Sequence, residues 1–203
     1  ANAHFTTDTI TDDVLEHTRV LYLGGYCLTP EPTAERVANL FARARQRGVI
    51  TMLDVVIPAP GDYAHRLDAV LPATDYFVPN DDEARLLCGL VDPGDQARAF
   101  LDAGANHVAI TCGDRGSVML GPHGGLRATA HPVPLIDGTG GGDAFASGFI
   151  LALLDDGSPE DCLRLGTAAG ACCVQATGAT TGIPDAASLR QLAADTPLEI
   201  EPL

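Results

Sequence analysis

Asp137-Gly138-Thr139-Gly140-Gly141-Gly142-Asp143-Ala144-Phe145 is the stretch whose reading decides what this chain is. Three successive glycines lead into apolar residues at Ala144, Phe145, Gly148, Phe149, Ala152 and Leu153, the i, i+3, i+4, i+7 stripe of a helix packed on one face. Upstream, Val133-Pro134-Leu135-Ile136 is a short apolar run that reads as a strand ending at Asp137. The glycines are therefore expected at a strand-to-helix turn, with their N–H groups unpaired at the leading end of the helix. Unpaired amides and the positive end of the helix dipole together make an anion site. Asp143 would lie beside whatever anion binds there. The alternative is an ordinary turn, since glycine runs commonly mark one. Glycine is required, however, where a ligand approaches the backbone closely, and an acid at the start of an apolar helix needs a reason.

Other glycine motifs fail on inspection. The run is not G-x-G-x-x-G, because Asp143 stands at the last glycine position, and no acidic ribose reader follows a strand at the expected distance. The chain contains no lysine, which excludes a Walker P-loop, a protein-kinase β3 lysine and a pyridoxal Schiff base within these residues.

Asp137 to Phe145, followed by Gly148-Phe149, resembles the second signature of the ribokinase-like (PfkB) carbohydrate kinase family, D-T-x-G-A-G-D-x-F-x-x-G-F. Gly138 replaces the usual Thr and Gly141 the usual Ala, both small exchanges. The resemblance implies that the N–H groups of Gly140, Gly141 and Gly142 stabilise a transferring phosphoryl group. It also implies that Asp143 binds the substrate hydroxyl and takes its proton. Asn80-Asp81-Asp82-Glu83 resembles the family's N-x-x-E motif, which puts Asn80 and Glu83 on a magnesium-bound phosphate, partly through water; the alternative is simple helix capping. Thr111-Cys112-Gly113-Asp114-Arg115-Gly116 is similar to the family's T-x-G-x-x-G loop under the nucleotide phosphates, giving Thr111, Gly113 and Gly116 as nucleotide-binding residues. Thr167 falls in the small-residue segment that flanks the adenine, where the family often has Asn; core packing is the other reading. Asp137 and Thr139 match positions that help form a monovalent-cation (K+) site in some members, with strand-end capping as the alternative.

The 203 residues, 46% of them hydrophobic, fit one globular α/β domain with a real core. The net charge of −15 argues against nucleic acid or an anionic membrane as a bulk partner. A nucleotide remains open to it, through backbone amides and a divalent cation. No membrane span and no signal peptide are read, and the expected location is cytoplasmic. Cys27, Cys88, Cys112, Cys162, Cys172 and Cys173 form no C-x-x-C pair and are expected as free thiols.

Taken in order, the pattern predicts a short helix near Thr11–Leu15 and strands at Val20–Leu23, Val49–Val56, Asp75–Val78 and His107–Thr111. Helices are read from about Thr33, near Tyr63–Val70, from Asp81 to near Gly89, and from about Asp95 to Ala103. Ser117–Leu120 and Leu126–Ala130 flank a hairpin turn at Gly121–Gly125. Ser158-Pro159-Glu160-Asp161 caps a last helix through Val174. Strands alternating with helices imply a mostly parallel sheet covered on both faces, a three-layer α/β/α ribokinase-like fold. Gly24-Gly25, Asn80, Thr111 and the glycine run are expected at the carboxyl ends of the strands, where such sheets bind ligands.

No counterpart is found for the family's first signature, its N-terminal strands or its β-sheet lid. Residues 1–203 are accordingly expected to be a single α/β kinase domain, incomplete at its N-terminus. The implied activity is ATP- and magnesium-dependent phosphoryl transfer to an alcohol of a sugar or sugar-like substrate. A nucleoside or vitamin kinase of the same superfamily, or an inactive nucleotide-binding homologue, is the alternative. Relatives often pair through the lid, so a homodimer is the expected assembly if there is one.

Overall fold

The computed structural model describes residues 6–59 and 61–203. Seven strands hydrogen-bond in sequence order into one mixed sheet. The chain divides into two compact units, one of residues 1–110 with 119–123 and the other of residues 111–118 with 124–203.

The first unit is built on parallel strands. β1 (Val20–Tyr26) pairs with β2 (Ile50–Val55), β2 with β3 (Tyr76–Phe77), and β3 with β4 (His107–Thr111), all parallel. β1 extends further than its apolar run suggests. It continues through Gly24 and Gly25, and its register with β2 slips between Leu23 and Tyr26; Gly25 takes a positive φ of 72° there. Helices α1 (Asp12–Glu16), α2 (Ala34–Arg45), α3 (Ala64–Leu67), α4 (Asp81–Cys88) and α5 (Pro93–Asp102) fall where the pattern predicts helix. α2 buries Val37, Leu40, Phe41 and Ala44, one stripe at 3.6-residue spacing. With Met52, Leu53, Phe77, Val108 and Ile110, all fully buried, they make this unit's core.

In the second unit β6 (Gly124–Ala128) pairs antiparallel with β7 (Ile200–Pro202). α6 (Gly141–Leu154) and α7 (Pro159–Val174) pack on each other, and α8 (Ala186–Asp195) follows. The pairing of α6 and α7 is close because small residues face each other. A Cβ on Gly148 would lie 2.3 Å from the Leu165 carbonyl oxygen, and one on Gly166 would lie 3.0 Å from the Phe145 ring. β5 (Ser117–Gly121) precedes β6 across the predicted hairpin turn. Ser158 caps α7 as its sequence foretells, with Asp161 returning the bond to the Ser158 N–H at 2.9 Å.

One expected element is missing. Val133–Ile136 is not a strand: Leu135 is 73% and Ile136 62% exposed, and the segment has no ladder. Pro132 and Pro134 supply no N–H, so every second donor is absent. The Ile136 and Asp137 amides donate instead to the Val174 carbonyl at the end of α7, at 2.8 and 3.2 Å. All six cysteines are free, as expected. Among the described residues no helix is long and apolar enough to cross a membrane.

Candidate active site

The glycine turn lies wholly in the second unit. Gly140 caps α6 with φ 80° and ψ 3°, a left-handed conformation, and a Cβ there would meet the Ala179 side chain at 2.5 Å. Backbone angle and crowding thus both require glycine. Gly142, by contrast, has nothing within 4 Å of a built Cβ; the space over it is open.

The amides divide unequally. The Gly141 N–H is donated to the Gly138 carbonyl at 3.2 Å, closing a tight first turn. The N–H groups of Gly140, Gly142 and Asp143 have no partner among the described residues. Three donors at a helix start therefore remain available, but Asp143 supplies the third in place of Gly141. The Asp143 side chain is exposed and makes no hydrogen bond or ion pair among the described residues. Its own carbonyl accepts the Ser147 hydroxyl at 2.8 Å, which fixes the backbone beneath it.

Asp137 holds the turn from below. One carboxylate oxygen accepts the Thr139 N–H and the other the Gly178 N–H, each at 2.9 Å. The Thr139 amide, followed by that of Gly178, keeps the Asp137 carboxyl below its ordinary range. Cys173, fully buried in the last turn of α7, points its sulfur at the carbonyls of Thr139 and Ala179, 3.5 and 3.4 Å away. No pattern in the sequence foretells this meeting of residues 137–140 with 173–179. It arises because a short link after α6 returns α7 beside it, bringing Val174 back to the start of the turn.

Thr111-Cys112-Gly113-Asp114-Arg115-Gly116 belongs to the same unit and forms a compact loop. Its Cys112 N–H donates to the Gly116 carbonyl at 2.8 Å, and the Gly116 N–H to the Gly113 carbonyl at 3.1 Å. Gly116 (φ 86°) packs so tightly that a Cβ would lie 2.0 Å from the Ala128 carbonyl oxygen. Gly113 (φ 59°) is exposed with nothing above it. Only Gly113 therefore offers open backbone to a ligand, while Gly116 shapes the loop. Thr167 is half-buried on α7, between Gly166, which faces Phe145, and buried Ala168.

Asn80 and Glu83 lie in the first unit and form a complete capping box on α4. The Glu83 N–H donates to Asn80 Oδ1 at 2.8 Å, and the Asn80 N–H donates to Glu83 Oε2 at 3.0 Å. Partial burial pushes the Glu83 carboxyl above its ordinary range, against the lowering effect of its bonds to Asn80. Each side chain keeps an uncommitted oxygen lone pair beyond the cap. Among the described residues no three His, Cys, Asp or Glu side chains converge as a metal cage. Two cavities, of about 720 and 330 Å³, are lined by Cys27–Pro30, Tyr63 and Arg66 and by Arg45, Asp75, Tyr76 and His107, and include none of these site residues.

The model of the pfkB family of carbohydrate kinases matches residues 1–186. Ribokinase of Haemophilus influenzae is 35% identical over 162 residues, which are 77% of this chain and 50% of that protein. Among solved structures, Arabidopsis thaliana ribokinase complexed with ribose and ATP superposes with a TM-score of 0.78 at 23% identity, over 94% of this chain and 60% of that one. A putative ribokinase II from E. coli in complex with ATP and Mg2+ gives 0.79 at 20%, over 94% and 63%. The chain thus spans about half the length of the curated ribokinase it matches. The structural likeness identifies the fold as ribokinase-like, a three-layer α/β/α arrangement. With the family model covering nearly all of it, the chain belongs to the pfkB family of carbohydrate kinases.

Proposed function

We propose that this protein transfers the γ-phosphoryl group of ATP to an alcohol of a sugar or sugar-like substrate, with Asp143 as the base and the start of α6 as the anion hole. One observation carries the reading. An exposed, unpaired carboxylate directly follows unpaired main-chain amides at the start of a buried helix. Donor and base are thereby fixed on consecutive residues of one rigid element.

In phosphoryl transfer, charge spreads over the phosphoryl oxygens and catalysis is mainly positioning and electrostatics. The amides of Gly140, Gly142 and Asp143 donate to those oxygens, and the absent Cβ of Gly142 lets them approach. As the acceptor's hydroxyl oxygen bonds to the γ-phosphorus, the bond from that phosphorus to the bridging oxygen breaks, ADP leaves, and the Asp143 carboxylate accepts the hydroxyl proton. Gly113 adds open backbone for the remaining phosphates. Asn80 and Glu83, in the first unit, would hold a magnesium ion through hard oxygens, directly or through water, and the ion would supply positive charge when bound. Asp137 and Thr139 contribute by shaping the turn, and a monovalent cation near them would act on the same loop. The ATP, ribose and Mg2+ in the two related structures support this substrate class.

Asp143→Asn is the test. The variant is expected to fold normally and to lose roughly a thousandfold in acceptor-dependent ADP release. Unchanged kcat would overturn the assignment. A panel of sugars, nucleosides and vitamin alcohols, assayed with ATP and Mg2+, then fixes the acceptor.

A further inference from the structure

We propose that Cys173 is a positioning residue for the phosphoryl-binding amides, acting through the Thr139–Gly140 peptide; this rests on the reading of the glycine turn given above. Residues 137–140 and 178–179 lie against each other, with Gly140 crowding Ala179. Two side chains join them. The Asp137 carboxylate takes the N–H groups of Thr139 and Gly178, and the Cys173 sulfur faces the C=O groups of Thr139 and Ala179. Each segment is therefore held at an amide by an acid and at a carbonyl by a thiol.

The consequence for the anion hole follows from peptide geometry. The only cis bond among the described residues is Glu31–Pro32, so the Thr139–Gly140 peptide is trans. In a trans peptide the C=O and the N–H point in opposite directions. A Thr139 carbonyl turned inward to Cys173 turns the Gly140 N–H outward, and that N–H has no partner among the described residues. The sulfur has one hydrogen for two acceptors, so it alternates between them or is shared. A thiol is a weak donor. Here it is fully buried, where water cannot replace it as the partner of the two carbonyls. The sequence shows only two adjacent cysteines in a small-residue helix, and the role becomes visible once both loops are placed.

Three variants separate hydrogen bonding from packing. Cys173→Ser keeps a donor, Cys173→Ala removes it and leaves space, and Cys173→Val removes it while filling the space. The first readout is ¹⁵N relaxation of the Gly140 amide, which is independent of turnover. The Ser variant is expected to match the wild type, and the Ala and Val variants to show a lowered order parameter. The second is steady-state kinetics: kcat should fall about fivefold in the Ala and Val variants, as expected for one lost hydrogen bond, with the ATP KM little changed. The Ser variant should recover most of that loss. A Val variant with wild-type relaxation, or a Ser variant more mobile at Gly140 than Val, would overturn the proposal. Absence of acceptor-dependent turnover in the wild type would sink the kinase reading instead, and the relaxation comparison would still decide the role of Cys173.

Discussion

At Glu83 two demands meet. Its carboxylate closes the cap of α4 by accepting the Asn80 N–H, while partial burial raises its pKa. A raised folded-state pKa disfavours the ionised form in the fold. The fold is therefore favoured below the ordinary Glu value of about 4.3, and loses stability as pH rises through the shifted value. At neutral pH the penalty is present in full, and a nearby divalent cation would offset it. Glu83→Gln keeps an acceptor for the cap. At pH 7 it should leave Tm unchanged or higher, with the difference closing near pH 4, and it should raise the Mg2+ concentration for half-maximal activity several-fold. Thermal melts at both pH values and a Mg2+ titration check this; an unaltered Mg2+ requirement would leave Glu83 a cap and nothing more. Asp137 has the opposite sign. Its lowered pKa makes the turn's anchoring strongest above about pH 4, fading as pH falls through the folded-state value.

The pairing of α6 with α7 sets the distance between the glycine turn and its supports. Gly148 meets the Leu165 backbone, which cannot move aside as a flexible side chain would. Gly148→Val should therefore force the two helices apart, lower stability by about 1–3 kcal/mol as overpacking does, and reduce activity without touching the site. Urea unfolding with parallel kinetics measures both effects. α6 was legible in the sequence because its stripe at Ala144, Phe145, Gly148, Phe149, Ala152 and Leu153 is continuous, and the same residues are buried. The α7 cap was legible for a local reason, since Ser158, Pro159 and Asp161 state it within four positions. Val133–Ile136 reads as a strand because it is a short apolar run, whereas Pro132 and Pro134 deny it a ladder. α8 and β7 went unread, since Ala186–Asp195 carries a weak stripe and Ile200–Pro202 is too short to show a period. Of the candidate site, the residue types and their order can be read directly from the sequence. What stayed hidden was which amides the turn leaves free, because the Gly141 bond to Gly138 depends on the dihedral angles of Gly140.

Over these 203 residues the formal charge is −15, carried against twelve arginines and no lysine. With so negative a chain, the proposed polyphosphate site would depend on short-range local dipoles such as the start of α6, helped by a divalent cation when one is bound. The chain's thiols give a second property of the whole. Cys27, Cys112, Cys162 and Cys173 are buried, and burial raises Cys27 to about 11 and Cys162 to about 12. Native protein at pH 8 should react with a thiol reagent fastest at partly exposed Cys88, more slowly at Cys172, whose thiol burial pushes up, and slowest at the four buried thiols, and all six should titrate once it is unfolded. Rapid native labelling of Cys162 or Cys173 would contradict the packing described for α7.

The most direct test of the proposed anion hole follows individual amides by ¹H–¹⁵N NMR while ADP, Mg2+ and aluminium fluoride, a mimic of the transferring phosphoryl group, are added. Large downfield shifts are expected for the Gly140, Gly142 and Asp143 N–H groups, with Gly141 moving far less because its hydrogen is already given to Gly138. Saturable binding that leaves those three resonances where they were would contradict it.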